Sequence, residues 1–138
     1  MRSSTSLLAT RFLAIGAFAV FLAVLSGAFG AHALRRVLAF DLMAIYQTGV
    51  EYHFYAAFGL VTLGLFGRQG ARSAPLFAWA GWLMLAGLVL FSGSLYLLAL
   101  TGSHVFGFVT PLGGVALLAA WVLFGVAAWR GTADAGSP

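Results

Sequence analysis

Four stretches of this chain, 12–34, 45–67, 75–100 and 106–129, run through apolar residues with few interruptions. Each is long enough for an α-helix to cross about 30 Å of hydrocarbon, which takes roughly 20 residues. Hydrocarbon offers the backbone no hydrogen bonds, so a spanning segment must satisfy its own N–H and C=O groups. Among chains with runs of this length, only the helix does so. The expected fold is therefore all-α, a four-transmembrane-helix up-down bundle forming one integral membrane domain over residues 1–138. The last span is expected to begin near Phe106 or at Pro111. Tails 1–10 and 131–138 are expected to be disordered. Three short connections complete the chain, which leaves no segment for a soluble domain.

Composition agrees: 62% of the residues are hydrophobic, 7% are charged, and the mean hydropathy is +1.03. That is too apolar for a water-soluble domain of ordinary make-up. With no cysteine, neither a disulfide framework nor a thiolate metal site can form. The net charge of +4 comes from seven arginines scattered at helix ends, without the basic stripe that a nucleic-acid binder needs. Their distribution instead sets orientation. Arg2, Arg11, Arg68, Arg72 and Arg130 fall on one side of a four-span arrangement and Arg35 and Arg36 on the other, so both termini are expected in the cytoplasm. The first apolar run also has the beginnings of a cleaved signal peptide, but it continues to Leu34 and ends in two arginines, so a retained span is expected.

Small residues mark where helices approach one another in lipid, since association there depends on packing. Ala23, Gly27 and Ala31 recur at four-residue spacing, with Ser26 and Gly30 on the adjoining row, and Gly113 and Gly114 stand in the first turn of the last span. Gly27, Gly30, Gly113 and Gly114 are the expected close-packing positions. Between the first two spans, Leu34, Leu38, Leu42 and Ile45 share a helical face. A short amphipathic helix at the outer interface, or an extension of either neighbouring span, would fit that pattern.

The chemistry gathers on the second span. Glu51 is an acid inside an apolar run, and a charged side chain at mid-bilayer costs about 2.5 to 3.5 kcal/mol, which makes it a candidate functional group. On a 3.6-residue repeat, Gln47, Glu51, Tyr55, Phe58 and Thr62 line one face, while His53 lies roughly 200° from Glu51. The two cannot ligate one metal from the same helix. Candidate companions for Glu51 are Arg35 or Arg36, His32, and hydroxyl groups of the third span. There Ser92 and Tyr96 share a face, Ser94 points away, and Tyr96 can donate to Glu51. Thr110 before Pro111 resembles a helix cap followed by a first-turn proline. In an up-down arrangement these polar residues occupy the outer half, and the inner half is almost purely apolar. The candidate polar cluster is His32, Gln47, Glu51, Tyr55, Ser92, Tyr96 and Thr110.

GAFGAH at Gly27–His32, QTGVEY at Gln47–Tyr52, LFSGSLY at Leu90–Tyr96 and TPLGG at Thr110–Gly114 together resemble the YgdD-like family of small bacterial inner-membrane proteins. The resemblance covers nearly the whole chain. It implies a four-span inner-membrane protein and supplies no activity, substrate or cofactor. Family members often carry a histidine where this chain has Ala56, and tend to have glutamine where it has His53. No nucleophile with an adjacent base, metal-spaced pair or phosphate loop is present. The expectation is therefore a non-catalytic accessory or membrane-organising protein with no cofactor and no metal. The alternative is a small oligomeric transporter or proton-linked channel using Glu51. Expected partners are the lipid bilayer and either a second copy or another membrane protein, with no role for nucleic acid.

Overall fold

The computed structural model of the chain describes residues 4–69 and 74–133, and every regular element among them is helical. In order these are α1 (Ser4–His32), a 3₁₀ turn (Leu34–Arg36), α2 (Phe40–Arg68), α3 (Ala74–Gly87), a π-helical turn (Leu88–Ser92), α4 (Gly93–Thr101), a second 3₁₀ turn (His104–Phe108) and α5 (Thr110–Ala133). The π turn joins α3 to α4 without a break, so the described residues form four rods. Gly102, at φ 70°, closes α4 in the left-handed conformation, and its N–H donates to the Leu98 carbonyl at 2.8 Å. Arg2 and Arg72 lie outside the described residues.

Helix ends differ from the apolar boundaries for a physical reason: hydropathy marks where a helix enters lipid, and the backbone continues to coil beyond that point. α1 starts at Ser4 instead of Phe12, and α2 at Phe40 instead of Ile45. Residues 4–10, expected in a disordered tail, are thus helical, with Thr10 donating to the Ser6 carbonyl at 3.0 Å. Between the first two rods the chain makes the short 3₁₀ turn Leu34–Arg36. Leu34 turns inward to pack with Met43, Tyr46 and Ala99, extended Ala39 interrupts the coil, and Phe40 opens α2. The last rod begins at Thr110, after the 3₁₀ turn, between the two starts expected.

Three stretches, Ser4–Arg36, Ala74–Thr101 and His104–Arg130, are long and apolar enough to cross a membrane. α2 stands outside that set through its polarity, since its 29 residues reach about 43 Å. It packs against all the other rods. α1 runs antiparallel to it through a crossing in which backbones nearly touch: a Cβ at Gly16 would lie 2.7 Å from the Val61 nitrogen, and one at Gly64 2.5 Å from the Leu13 nitrogen. On its other side Gly67 meets the Phe77 ring and Gly59 meets Met84, while Phe12 of α1 packs edge-on to Phe77 and Trp82.

Two apolar clusters result. The larger, with Phe12, Leu60, Leu63, Phe77 and Met84 at its centre, fills the end near the start of α1, and the smaller, around Leu34, Met43, Tyr46 and Ala99, closes the opposite end. Tyr46 and Tyr96, at the smaller cluster, bring polar groups into the bundle there.

The backbone crossing yields a prediction with opposite signs at two glycines. Gly64→Ala forces α1 and α2 apart and lowers stability in detergent by about 1–3 kcal/mol, as overpacking does. At Gly125 a Cβ meets nothing within 4 Å. Gly125→Ala therefore leaves stability unchanged or raises it by about 0.5–1 kcal/mol through helix propensity. Thermal unfolding in a mild detergent reads both.

Candidate functional site

The helical phase of α2 sorts its polar residues onto opposite faces. Gly49, His53, Ala56, Ala57, Leu60 and Gly64 face the bundle and are buried. Gln47, Glu51, Tyr55, Phe58 and Thr62 face away from it and are exposed.

On the inner face, His53 is 6% exposed and its Nδ1 lies 3.0 Å from the Tyr96 hydroxyl of α4. With Tyr96 donating to Nδ1, the ring proton belongs on Nε2, which is buried without a hydrogen-bond partner among the described residues. Gly49 eases this pairing: a Cβ there would lie 3.0 Å from the Tyr96 ring, so a larger residue would make the phenol shift by a few tenths of an ångström from its place against α2, one turn before His53. Tyr46, 4% exposed, repeats the device one helix over. Its hydroxyl donates to the Ser26 carbonyl at 2.8 Å, and its ring occupies space that a Cβ at Gly30 would take, 2.6 Å away. The Tyr46 and Tyr96 rings stand 5.1 Å apart, with Ser26 beside both phenols. Ser26, Tyr46, His53 and Tyr96 thus form one polar layer linking α1, α2 and α4.

The π turn extends the layer toward α5. A π turn holds one more residue than an α turn and shifts the register after it. Ser94, expected to point away, is accordingly buried: its hydroxyl donates to the Phe91 carbonyl at 2.9 Å and lies 2.8 Å from the Thr110 hydroxyl. Thr110 therefore bridges to α4 and does not act as a cap. Ser92, the last residue of the π turn, is 1% exposed, and its hydroxyl and His53 Nε2 are the buried side-chain polar atoms left without a hydrogen bond among the described residues. Gly113 lets α5 meet the π turn, where an added Cβ would lie well under 3.0 Å from the Phe91 backbone. Gly27 and Gly114 pack less tightly, since their Cβ positions are at an ordinary 3.5 Å from Val50 and Phe91.

The acid stands outside this layer. Glu51 accepts a hydrogen bond from Tyr55, one turn along its own helix, and Tyr96 is engaged by His53 instead. The candidate residues therefore do not converge on Glu51. Gln47, Glu51 and Tyr55 share the outward face, and His32 is exposed at the end of α1. Tyr96, Ser92 and Thr110 belong to the inner layer or its extension. Three concavities border the outward face of α2. A cleft of about 230 Å³ between α2 and α5 is lined by Tyr52, Tyr55, Phe91, Gly114 and Trp121, with the Tyr52 ring 4.5 Å from Phe91. A groove of about 200 Å³ between α1 and α2 is lined by Gly27, Gly30, Ala31, Gln47, Val50 and Glu51. A third, of about 470 Å³, continues from Gln47 to Arg35 and Phe40. Among the described residues no three His, Asp or Glu side chains come together in a metal-binding group.

His53, Tyr46 and Ser26 were absent from the expected cluster. Glycine spacing could have found His53, because Gly49, His53, Ala57 and Gly64 lie on one small-residue row, the kind of face on which membrane helices pack.

Long apolar helices closed around one internal polar layer define an α-helical integral membrane protein. The chain belongs to the family described as "Protein of unknown function (DUF423)", whose sequence profile matches residues 26–114, a segment that contains the layer from Ser26 to Thr110. It is similar to the UPF0382 membrane protein YwdK of Bacillus subtilis (strain 168), 44% identical over 117 residues covering 85% of this chain and 94% of YwdK. The UPF0382 inner membrane protein YgdD of Escherichia coli (strain K12) is 43% identical over 122 residues, 88% of this chain and 92% of YgdD. The UPF0382 membrane protein SH2409 of Staphylococcus haemolyticus (strain JCSC1435) is 38% identical over 119 residues, 86% of this chain and 95% of its own. No solved structure matches the chain.

The His53–Tyr96 pair can be weighed directly. In a double-mutant cycle of His53→Leu and Tyr96→Phe, the coupling energy is expected at about 0.6–1.7 kcal/mol, the scale of interhelical hydrogen bonds in membranes. Additive effects of the two changes would show that the contact contributes nothing.

Proposed function

We propose that this chain is a four-span protein of the bacterial inner membrane with both termini in the cytoplasm, and that it acts without catalysis as an accessory or membrane-organising element. Its outer half carries the polar side chains and associates with another membrane component. α2 lies antiparallel to two rods that are apolar enough to cross, and it is longer than a bilayer is thick. Arg11, Arg68 and Arg130 lie toward one end of the bundle and Arg35 and Arg36 toward the other, which supports the orientation.

The observation that carries the reading is the outward polar face of α2. A carboxyl, a carboxamide and a phenol facing acyl chains are costly, and such groups in membrane helices usually mark contact with something else. The bundle interior supports the non-conducting side of the reading. Below His53, the α1–α2 crossing is closed backbone to backbone, and Phe12, Leu60, Leu63 and Phe77 fill the remainder. A transport path using Glu51 would require several copies whose α2 faces line it.

Purification in mild detergent after chemical crosslinking tests the proposal. Recovery with a partner, a second copy or retained lipid is expected, and a strictly solitary, lipid-indifferent protein would contradict it. Reconstituted in liposomes, the wild-type protein and Glu51→Gln are expected to give the same background proton flux. A flux that the substitution abolishes would favour the transporter.

A further inference from the structure

The cleft of about 230 Å³ between α2 and α5 has aromatic side chains in both walls. Tyr52 and Tyr55 come from α2, Phe91 from the π turn and Trp121 from α5. The Tyr52 ring stands 4.5 Å from Phe91 and 5.5 Å from Tyr55, so a guest in the cleft meets several π systems at once. Tyr55, Leu118 and Trp121 are exposed, which leaves the cleft open to the surroundings of the bundle. An acid stands directly behind the α2 wall. The Tyr55 hydroxyl donates to Glu51, so the carboxylate lies one hydrogen bond from the lining. Among the described residues no cationic side chain reaches it. Arg35 and Arg36 precede α2, and Glu51 is about 16 Å along the helix axis from Phe40.

Charge complementarity selects the occupant. Ionised groups in lipid pair with an opposite charge, and the face of an aromatic ring carries negative potential that attracts a cation within about 6 Å of its centre. An anion is repelled by the acid and by the ring faces alike. A neutral acyl chain would fill the volume and leave the acid unpaired. A metal ion needs several oxygen or nitrogen ligands, and no such group forms among the described residues. A compact, strongly hydrated ammonium is disfavoured too, because aromatic rings and the neighbouring Leu117 and Leu118 cannot replace its water. A quaternary ammonium or an aryl phosphonium has no N–H group to satisfy. Its apolar substituents pack on the leucines while its diffuse charge meets the rings and the carboxylate. We propose that the α2–α5 cleft binds a weakly hydrated organic cation, with Tyr52, Tyr55, Phe91 and Trp121 around the charge and Glu51 as its counter-ion. This site goes beyond the accessory role and does not depend on it.

Benzyltrimethylammonium, titrated calorimetrically into the full chain in a maltoside detergent, tests the site, with neopentylbenzene as the uncharged compound of the same shape. Saturable binding of the cation that an excess of neopentylbenzene does not displace is expected. Glu51→Gln should weaken it at least tenfold and Trp121→Leu at least threefold, whereas Trp121→Phe, which keeps a ring, should stay within twofold of the wild type. An unchanged melting temperature in the same detergent shows that each variant is folded. No saturable heat above that of protein-free micelles, equal affinity for neopentylbenzene, or unchanged binding by Glu51→Gln would overturn the inference. None of these results bears on recovery with a partner or lipid, so the accessory reading stands or falls separately.

Discussion

A polar side chain in hydrocarbon has no water to fall back on, and in the proposed four-span arrangement α2 is the element on which that constraint bears hardest. It carries a histidine, an acid, an amide and three tyrosines within a dozen residues, yet it packs against every other rod. The bundle accommodates it by phase. His53 and Tyr46 turn inward, where Tyr96 and the Ser26 carbonyl receive them, and Gln47, Glu51 and Tyr55 turn outward. The inner set is bound within one chain, and the outer set is left for contact with something else.

Glycines set the geometry that makes the inner set work. Gly16 and Gly64 bring α1 and α2 into backbone contact below the layer, fixing how far apart the helices stand. Gly30 and Gly49 then each give up a side chain so that a tyrosine ring can lie flat against the opposing helix and extend its hydroxyl across. At the π turn the extra residue turns both Ser92 and Ser94 inward, and Gly113 lets α5 close over it. π turns inside longer helices frequently mark functional positions. Here the turn coincides with Ser92, whose buried hydroxyl is unpartnered among the described residues.

The positions of the rods were legible because uninterrupted apolar length is a strong signal, and the composition left little besides helices in lipid. Their ends were not, since α1 and α2 keep coiling beyond the apolar stretch. The division of α2 into faces was also legible, with Glu51 and His53 on opposite sides of the axis. Which face meets the bundle is not legible from an acid alone. An acid in a membrane helix suggests an internal partner, so Glu51 was placed at the centre of the cluster, whereas the row Gly49, Ala57 and Gly64 marks the packed face and carries His53. Ser94 was misplaced because a π turn leaves no signature in hydrophobic periodicity: ideal 3.6-residue phasing carried past Leu88–Ser92 accumulates the error of one added residue.

The proposed role of the outward face depends on α2 crossing the bilayer with its polar end toward the outside. Membrane-impermeant maleimide applied to spheroplasts, with a single cysteine at Phe40 or at Gln69, measures this directly, since both positions are exposed at opposite ends of the helix. The four-span arrangement predicts that Phe40→Cys is labelled in intact spheroplasts and Gln69→Cys only after the membrane is permeabilised. Labelling of both from the same side would mean that α2 does not cross, and the outward acid would then face water instead of lipid.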